Sequence, residues 1–199
     1  MSQQFSVAAR NSSLDGYESG IGTSPILKLR TGTLPADCAT ADTGSVLVSM
    51  TLPSDWMANA ASGSKAKSGT WSGTASGTGV ATQFRIYDSG GTTCHIQGTA
   101  GISVVIATSA LTAANGNVLT FAATTGVVTG MNVAGTGVLA GSTVIAVTGT
   151  TVTLSKSSTA GVASAASITF SYDLVLDNSN IVSGQVVSVG TYQWTDSNG

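Results

Sequence analysis

The chain has 199 residues and a net charge of −2, and only 8% of its residues are charged, against roughly 25% in an average soluble domain. With 42% hydrophobic residues it is not an intrinsically disordered chain, which pairs low hydrophobicity with high charge. The basic residues Arg10, Lys28, Arg30, Lys65, Lys67, Arg85 and Lys156 are scattered, whereas a nucleic-acid backbone would want them gathered on one stripe.

Gly, Ser, Thr, Ala and Val take the place of the missing charges. Thr and Val suit pleated, half-buried surface, and Gly and Ser suit the turns between strands, so an all-β fold is expected. The length allows one good-sized domain or two small ones. A surface this poor in charge is a weak solubility strategy for a free monomer and points to a protein covered by partners in an assembly. No run reaches the ~18 apolar residues of a membrane span. The opening Met1-Ser2-Gln3-Gln4-Phe5 lacks the basic and apolar regions of a secretory signal, so synthesis in a cytoplasm is expected.

In chain order, residues 5–20 are the best helix candidate. Phe5, Ala9, Ser13 and Tyr17 recur every four positions, Val7 and Leu14 lie near the same face, and Gly20, Gly22 and Pro25 supply stops. Ile26-Leu27-Lys28-Leu29-Arg30 then alternates with Leu27 and Leu29 on one face. Residues 33–44 are turn formers, 45–52 read as a strand, 53–56 as a turn, and 60–79 as a Gly/Ser/Thr/Ala-rich loop. Residues 80–88 form a strand with Phe84 and Ile86 facing one way and Arg85 and Tyr87 the other. The turn Ser89-Gly90-Gly91-Thr92 closes a hairpin into 93–98.

A composition shift follows. Between Ser89 and Tyr172 the only charged residue is Lys156. Short strands recur there at 117–121, 131–133, 142–147, 150–154 and 167–170, with turns at Gly135-Thr136-Gly137 and Gly149-Thr150. Residues 103–171 are therefore expected to be a small β domain inserted into a host domain of 1–102 plus 172–199, its ends close together in space. The host resumes with Leu174 and Leu176 facing inward and ends in a last strand made of 185–189 and 192–194. The expected class is all-β, with a β-sandwich or jelly-roll-like core, a short N-terminal helix and an inserted small β module.

No residue of the sequence stands out as catalytic, cofactor-binding or metal-ligating. Cys94 and His95 are adjacent, and neighbours on a strand face opposite ways. Without further ligands for a metal, Cys94 reads as a small core filler and His95 as an exposed residue beside its hairpin. Cys38 and Cys94 are the only cysteines; their count allows a disulfide, and a reducing compartment favours two free thiols. Asp37, Asp42, Asp173 and Asp177 read as solvated loop ends, since Glu18 is the only glutamate and calcium loops close on one. Gly-x-Gly matches such as Gly20-Ile21-Gly22 open no helix after a strand and carry no phosphate-binding Lys. Trp56, Trp71, Phe84, Tyr87, Tyr192 and Trp194 could stack on a carbohydrate; core and subunit-interface roles are the simpler expectation.

Three segments carry a resemblance. They are 5–11 with Leu14-Asp15, Ile21-Gly22 and Leu27–Gly32; the run Gly79 to Thr92; and Asp173–Asn178 with Ile181, Gly184-Gln185 and Val187-Ser188-Val189. Together they are similar to virion structural proteins of tailed bacteriophages. The run Gly130–Val138, with Gly141–Val144 and Thr151–Ser155, resembles a small β module that recurs in phage structural proteins. The resemblance implies a capsid cement or decoration protein on the outer capsid surface. Its partners would be the major capsid protein or another virion protein, and copies of itself as a dimer or trimer, with no nucleic acid, membrane or cofactor. A tail or head–tail connector component, or a carbohydrate-binding adhesin, is the alternative. The helix and the loops 33–44 and 60–79 are the expected contact elements, and the insert is expected to project outward.

Overall fold

The computed structural model describes residues 4–196; residues 1–3, where the signal reading begins, lie outside that range. The elements in chain order are α1 (Val7–Ile21), β1 (Ile26–Arg30), β2 (Val46–Thr51), β3 (Ser64–Ala66), β4 (Ser72–Thr74), β5 (Gly79–Val80), β6 (Gln83–Tyr87), β7 (Cys94–Gly101), β8 (Val104–Ala107), β9 (Val118–Thr120), β10 (Asn132–Gly135), β11 (Ser142–Val147), β12 (Thr151–Leu154), β13 (Ser167–Ser171), β14 (Leu174–Leu176), β15 (Asn180–Ile181) and β16 (Val186–Thr195). The fold is all-β with one short N-terminal helix. The chain divides into two compact units, one running to Gly101 and resuming at Leu174, the other being Ile102–Asp173.

In the first unit the strand order is β2-β1-β6-β7-β14-β16-β3, and β4 also pairs with β16. Adjacent strands are antiparallel except β7 and β14, which run parallel with Leu174 opposite Ala100 and Val175 opposite Gly101. The strand that leaves for the second unit and the strand that returns from it are thus neighbours in one sheet. This sheet curls on itself, because the segment after β4 reaches β2 through a bridge between Ala75 and Val48. The N–H groups of Ser76 and Gly77 both donate to the Leu47 carbonyl, at 2.9 and 3.1 Å. Inside the curl, Leu27, Leu29, Phe84, Ile86, Leu174 and Val187 are fully buried, which is the period-two alternation of each strand turned to one side. Trp56, Trp71 and Tyr192 join them in a ring cluster, with Trp56 and Trp71 centroids 5.9 Å apart and Phe84 edge-on to Tyr192 at 5.5 Å. Burying an indole leaves its N–H to be satisfied; Trp56 Nε1 donates to the Gly22 carbonyl and Trp71 Nε1 to that of Ser68.

The second unit is a six-stranded antiparallel sheet, β8-β13-β10-β11-β12-β9, and a bridge between Thr108 and Phe121 brings its flanks together. Leu119, Phe121, Val133, Val152, Ile168 and Phe170 are among its core residues, with the two phenyl rings 5.6 Å apart. Its buried polar groups are hydroxyls, those of Thr108, Thr112, Ser142 and Ser158. They satisfy backbone carbonyls directly: Thr108 Oγ1 donates to Ala163 at 2.7 Å and Thr112 Oγ1 to Val118 at 2.8 Å. A core made this way needs no buried charge, which is how the segment folds with Lys156 alone.

Several details differ from the sequence expectation. The helix starts at Val7, with the Ser6 side chain capping the Ala9 N–H, and passes through Gly20 to end before Gly22 at φ 91°. Residues 60–79 are not simply a loop but hold β3, β4 and the first residue of β5. Strand β6 is buried on both faces, not one. Strand β8 is absent from the expected set because its Val-Val-Ile-Ala run shows no alternation, while β16 runs unbroken through both pieces of the expected last strand.

Closure of the first sheet depends on missing side chains. A Cβ on Gly73 would meet Met50 Cβ and Val48 Cγ1 at 3.0 Å, and one on Gly77 would meet the Val46 carbonyl oxygen at 2.7 Å. Gly77→Ala should therefore cost about 1–3 kcal/mol through forced backbone movement, measured as a lower midpoint of denaturant unfolding. An unchanged midpoint would mean that the two flanks separate without penalty.

Candidate functional site

Two long basic side chains reach full burial in the first unit, and each fastens a surface element. Arg85 leaves β6 on the face away from the aromatic cluster, and its side chain is 1% exposed. Its Nη1 donates to Asp42 Oδ1 at 2.6 Å and to the Thr40 carbonyl at 3.0 Å, while Nη2 donates to the carbonyls of Cys38 (2.7 Å) and Asp37 (3.3 Å). Arg30, on the neighbouring β1, pairs with Asp42 Oδ2 at 3.0 Å and donates to the carbonyls of Thr43 and Gly44. Tyr87 donates its hydroxyl to Asp42 Oδ1 at 2.5 Å. One carboxylate thus collects two guanidiniums and a phenol, and the loop 33–44 is laid over the outer face of β6.

The charges follow from that geometry. Burial disfavours the ionised Asp42 carboxyl, but the Tyr87 hydrogen bond and the charges of Arg30 and Arg85 outweigh it and hold its pKa below the usual carboxylate range. Tyr87 is pushed well up, by burial first and then by its bond to the Asp42 carboxylate.

The second fastening holds α1. Lys65, on β3, is 1% exposed and its Nζ lies 2.6 Å from Asp15 Oδ1 and 2.8 Å from Glu18 Oε2. Burial disfavours the ammonium, yet the hydrogen bonds to Asp15 and Glu18 raise its pKa. The same helix captures backbone donors of the following segment: Asn11 Oδ1 accepts from Gly63 N, Asp15 Oδ1 from Ala60 N and Glu18 Oε1 from Met57 N. Arg10 Nη1 donates to the Asp196 carbonyl at 2.6 Å. The docked face is therefore Arg10/Asn11–Leu14–Glu18–Ile21, with Leu14 its one buried residue. This overturns the expected face: Phe5, Val7 and Tyr17 are 53%, 48% and 60% exposed. An i, i+4, i+7 stripe of Asn11, Asp15 and Glu18 carried the signal, and a search for apolar periodicity passes over it.

Beside α1 an open groove of about 820 Å³ is lined by Tyr17, Ile21, His95, Ile96, Trp194 and Asp196, among others. Tyr17 and Trp194 meet edge-to-face at 6.4 Å, and Trp194 continues edge-on to Trp56 at 5.4 Å. The groove offers two aromatic rings, an imidazole and a carboxylate; it suits binding through ring contact and hydrogen bonds.

His95 is exposed, at an irregularity where Ile86 pairs with Ile96 and Tyr87 with Cys94. Cys94 is half-buried rather than a core filler, with its sulfur 3.0 Å from that of Cys38, and both are free thiols. Of the aspartates read as solvated loop ends, Asp37 accepts from the Thr40 N–H and hydroxyl and Asp177 from the Ser188 N–H, while Asp173 accepts from Asn132 Nδ2. Asp42 departs from that expectation because the loop folds back over β6. Among the described residues no three of His, Cys, Asp and Glu converge as a metal site. Trp56, Trp71, Phe84, Tyr87 and Tyr192 are buried, which leaves Trp194, with Tyr17, as the ring pair that faces a groove.

Asp42→Ala should cost about 3 kcal/mol, because it leaves the buried Arg85 guanidinium without its carboxylate; chemical denaturation reads this directly. The pH profile carries a second expectation. Asp15 and Asp42 sit below their ordinary value of 3.8, so their contribution is present above that value and is lost as pH falls through the lower folded values. Lys65 sits above 10.5, so its contribution is full below that value and is lost as pH rises beyond it. Thermal unfolding should show a plateau through neutral pH with an acid shoulder, and Asp42→Asn should reduce that shoulder.

Compared with models of protein families, with curated protein sequences and with solved structures, the chain matches none.

Proposed function

We propose that the protein is a non-enzymatic structural component of a tailed-bacteriophage virion, a cement or decoration protein that binds the outer capsid surface and stabilises the shell. The resemblance of residues 5–100 and 172–195 to such proteins supports this reading, together with one structural observation. The helix and the loop 33–44 are surface elements held rigid by buried Lys65 and Arg85, while Val7 and Tyr17 stand out from the helix. Elements ordered before binding lose little entropy on docking. Weak contacts of this kind, repeated over a lattice of capsid subunits, add up through multivalency. Self-association as a dimer or trimer would let one copy span joints between subunits.

A specific observation favours a second reading. The groove with Tyr17 and Trp194 has the mix of ring and polar groups that sugars use, so a glycan-binding adhesin is the alternative, placed on the first unit rather than the insert. A tail or connector part remains the third role within the virion.

Quantitative mass spectrometry of purified particles separates these roles. Hundreds of copies per virion are expected for cement, and six or twelve would transfer the protein to the tail or connector; absence from particles would end the virion reading altogether. Tyr17→Ala should lower occupancy on particles under competition with wild type, and glycan-array binding lost in the same variant would favour the adhesin.

A further inference from the structure

Cys38 and Cys94 lie 56 positions apart in sequence, yet their sulfurs are 3.0 Å apart. A disulfide has an S–S bond of about 2.05 Å, so closing the bond takes an approach of about an ångström. Arg85 holds both partners: its Nη2 donates to the Cys38 carbonyl at 2.7 Å and its Nε to Cys94 Sγ at 3.1 Å. The loop that carries Cys38 is fixed by the Asp42 cluster, and Cys94 opens β7 opposite Tyr87. The two thiols are therefore brought together by an ionic framework that exists before any covalent bond. Both are half-buried, at a shallow pocket of about 280 Å³ lined by Lys28, Thr40, Asp42 and Thr92 among others.

We propose that Cys38 and Cys94 form a reversible intramolecular disulfide, a covalent latch that ties the loop 33–44 to the start of β7. The thiols persist in a reducing cytoplasm, and the latch closes in oxidising surroundings. The oxidant is a low-molecular-weight disulfide such as glutathione disulfide. Burial and the hydrogen bond with Cys38 push the Cys94 thiol up to about 11, which disfavours Cys94 as the first attacking thiolate. The Cys38 thiolate attacks one glutathione sulfur, the glutathione S–S bond breaks, and one glutathione leaves as thiolate. Cys94 then attacks Cys38 Sγ of the mixed disulfide and expels the second glutathione. The two protons from the protein thiols go to the two departing thiolates. The protein is oxidised by two electrons and the reagent reduced by two. The latch does not depend on the virion reading, since it rests on the first unit's own geometry.

The test uses the full-length protein, reduced and then incubated with glutathione disulfide, quenched by alkylation under denaturing conditions. The expected result is an intact-mass loss of about 2 Da, two hydrogens, with no alkylated cysteine and with a proteolytic peptide joining Cys38 to Cys94. Dithiothreitol should reverse it, and the oxidised form should unfold at a higher temperature than the reduced form, since the cross-link restricts the unfolded chain. Cys38→Ser and Cys94→Ser should show no such gain. Recovery of two alkylated thiols from the wild type would overturn the proposal, as would stable glutathione adducts on both cysteines or disulfide-linked dimers in place of the internal bond.

Discussion

Burial of the Arg85 guanidinium organises more of this protein than any other contact. A guanidinium taken out of water must find its full complement of acceptors. Besides Cys94 Sγ on β7, those of Arg85 come from a loop more than forty positions earlier, so the loop has to lie over the strand, with Asp42 at its end. Tyr87 and Arg30 then converge on the same carboxylate. Everything on that side of the sheet follows: the double burial of β6, the ordered path of residues 33–44, and the meeting of Cys38 with Cys94. Replacing a buried ion pair by apolar residues is often neutral for stability. What the arrangement secures is one position for the loop.

Lys65 repeats the device for α1. The helix has little apolar face to bury, and by propensity alone a helix of this length is marginal in water. It is held because Asn11, Asp15 and Glu18 accept backbone N–H groups of residues 57–63 as well as the ammonium. Those backbone donors would otherwise lie unsatisfied beneath a helix, which is costly. The outer face of the helix takes little part in this docking, which leaves Val7 exposed and Tyr17 at the groove, edge-on to Trp194.

The two units solve the same packing problem with different polar chemistry. Both are curled, mostly antiparallel sheets whose flanks meet at a bridge, and both depend on glycines where backbones approach closely. The first places charges in its interior faces and pairs them. The second places Thr and Ser hydroxyls there and bonds them to carbonyls. The composition shift along the chain is the visible trace of that difference.

The positions of the alternating strands, the all-β class and the charge-poor segment were readable from the residues themselves, because alternation and turn formers act between near neighbours. Leu27, Leu29, Leu174 and Leu176 face inward as their alternation requires. Where the strands pair, and what covers their second faces, depends on residues far apart in the chain. Arg85 and Tyr87 read as a solvent face because the loop that buries them leaves no mark near β6. The helix face read from Phe5 and Tyr17 turned outward for the same reason, since Lys65 selects the polar stripe instead. The sequence by itself determined which segments pleat and where they turn. The tertiary structure alone decided which charges are buried, which helix face docks and that the two thiols meet, because each requires a partner that local periodicity cannot specify.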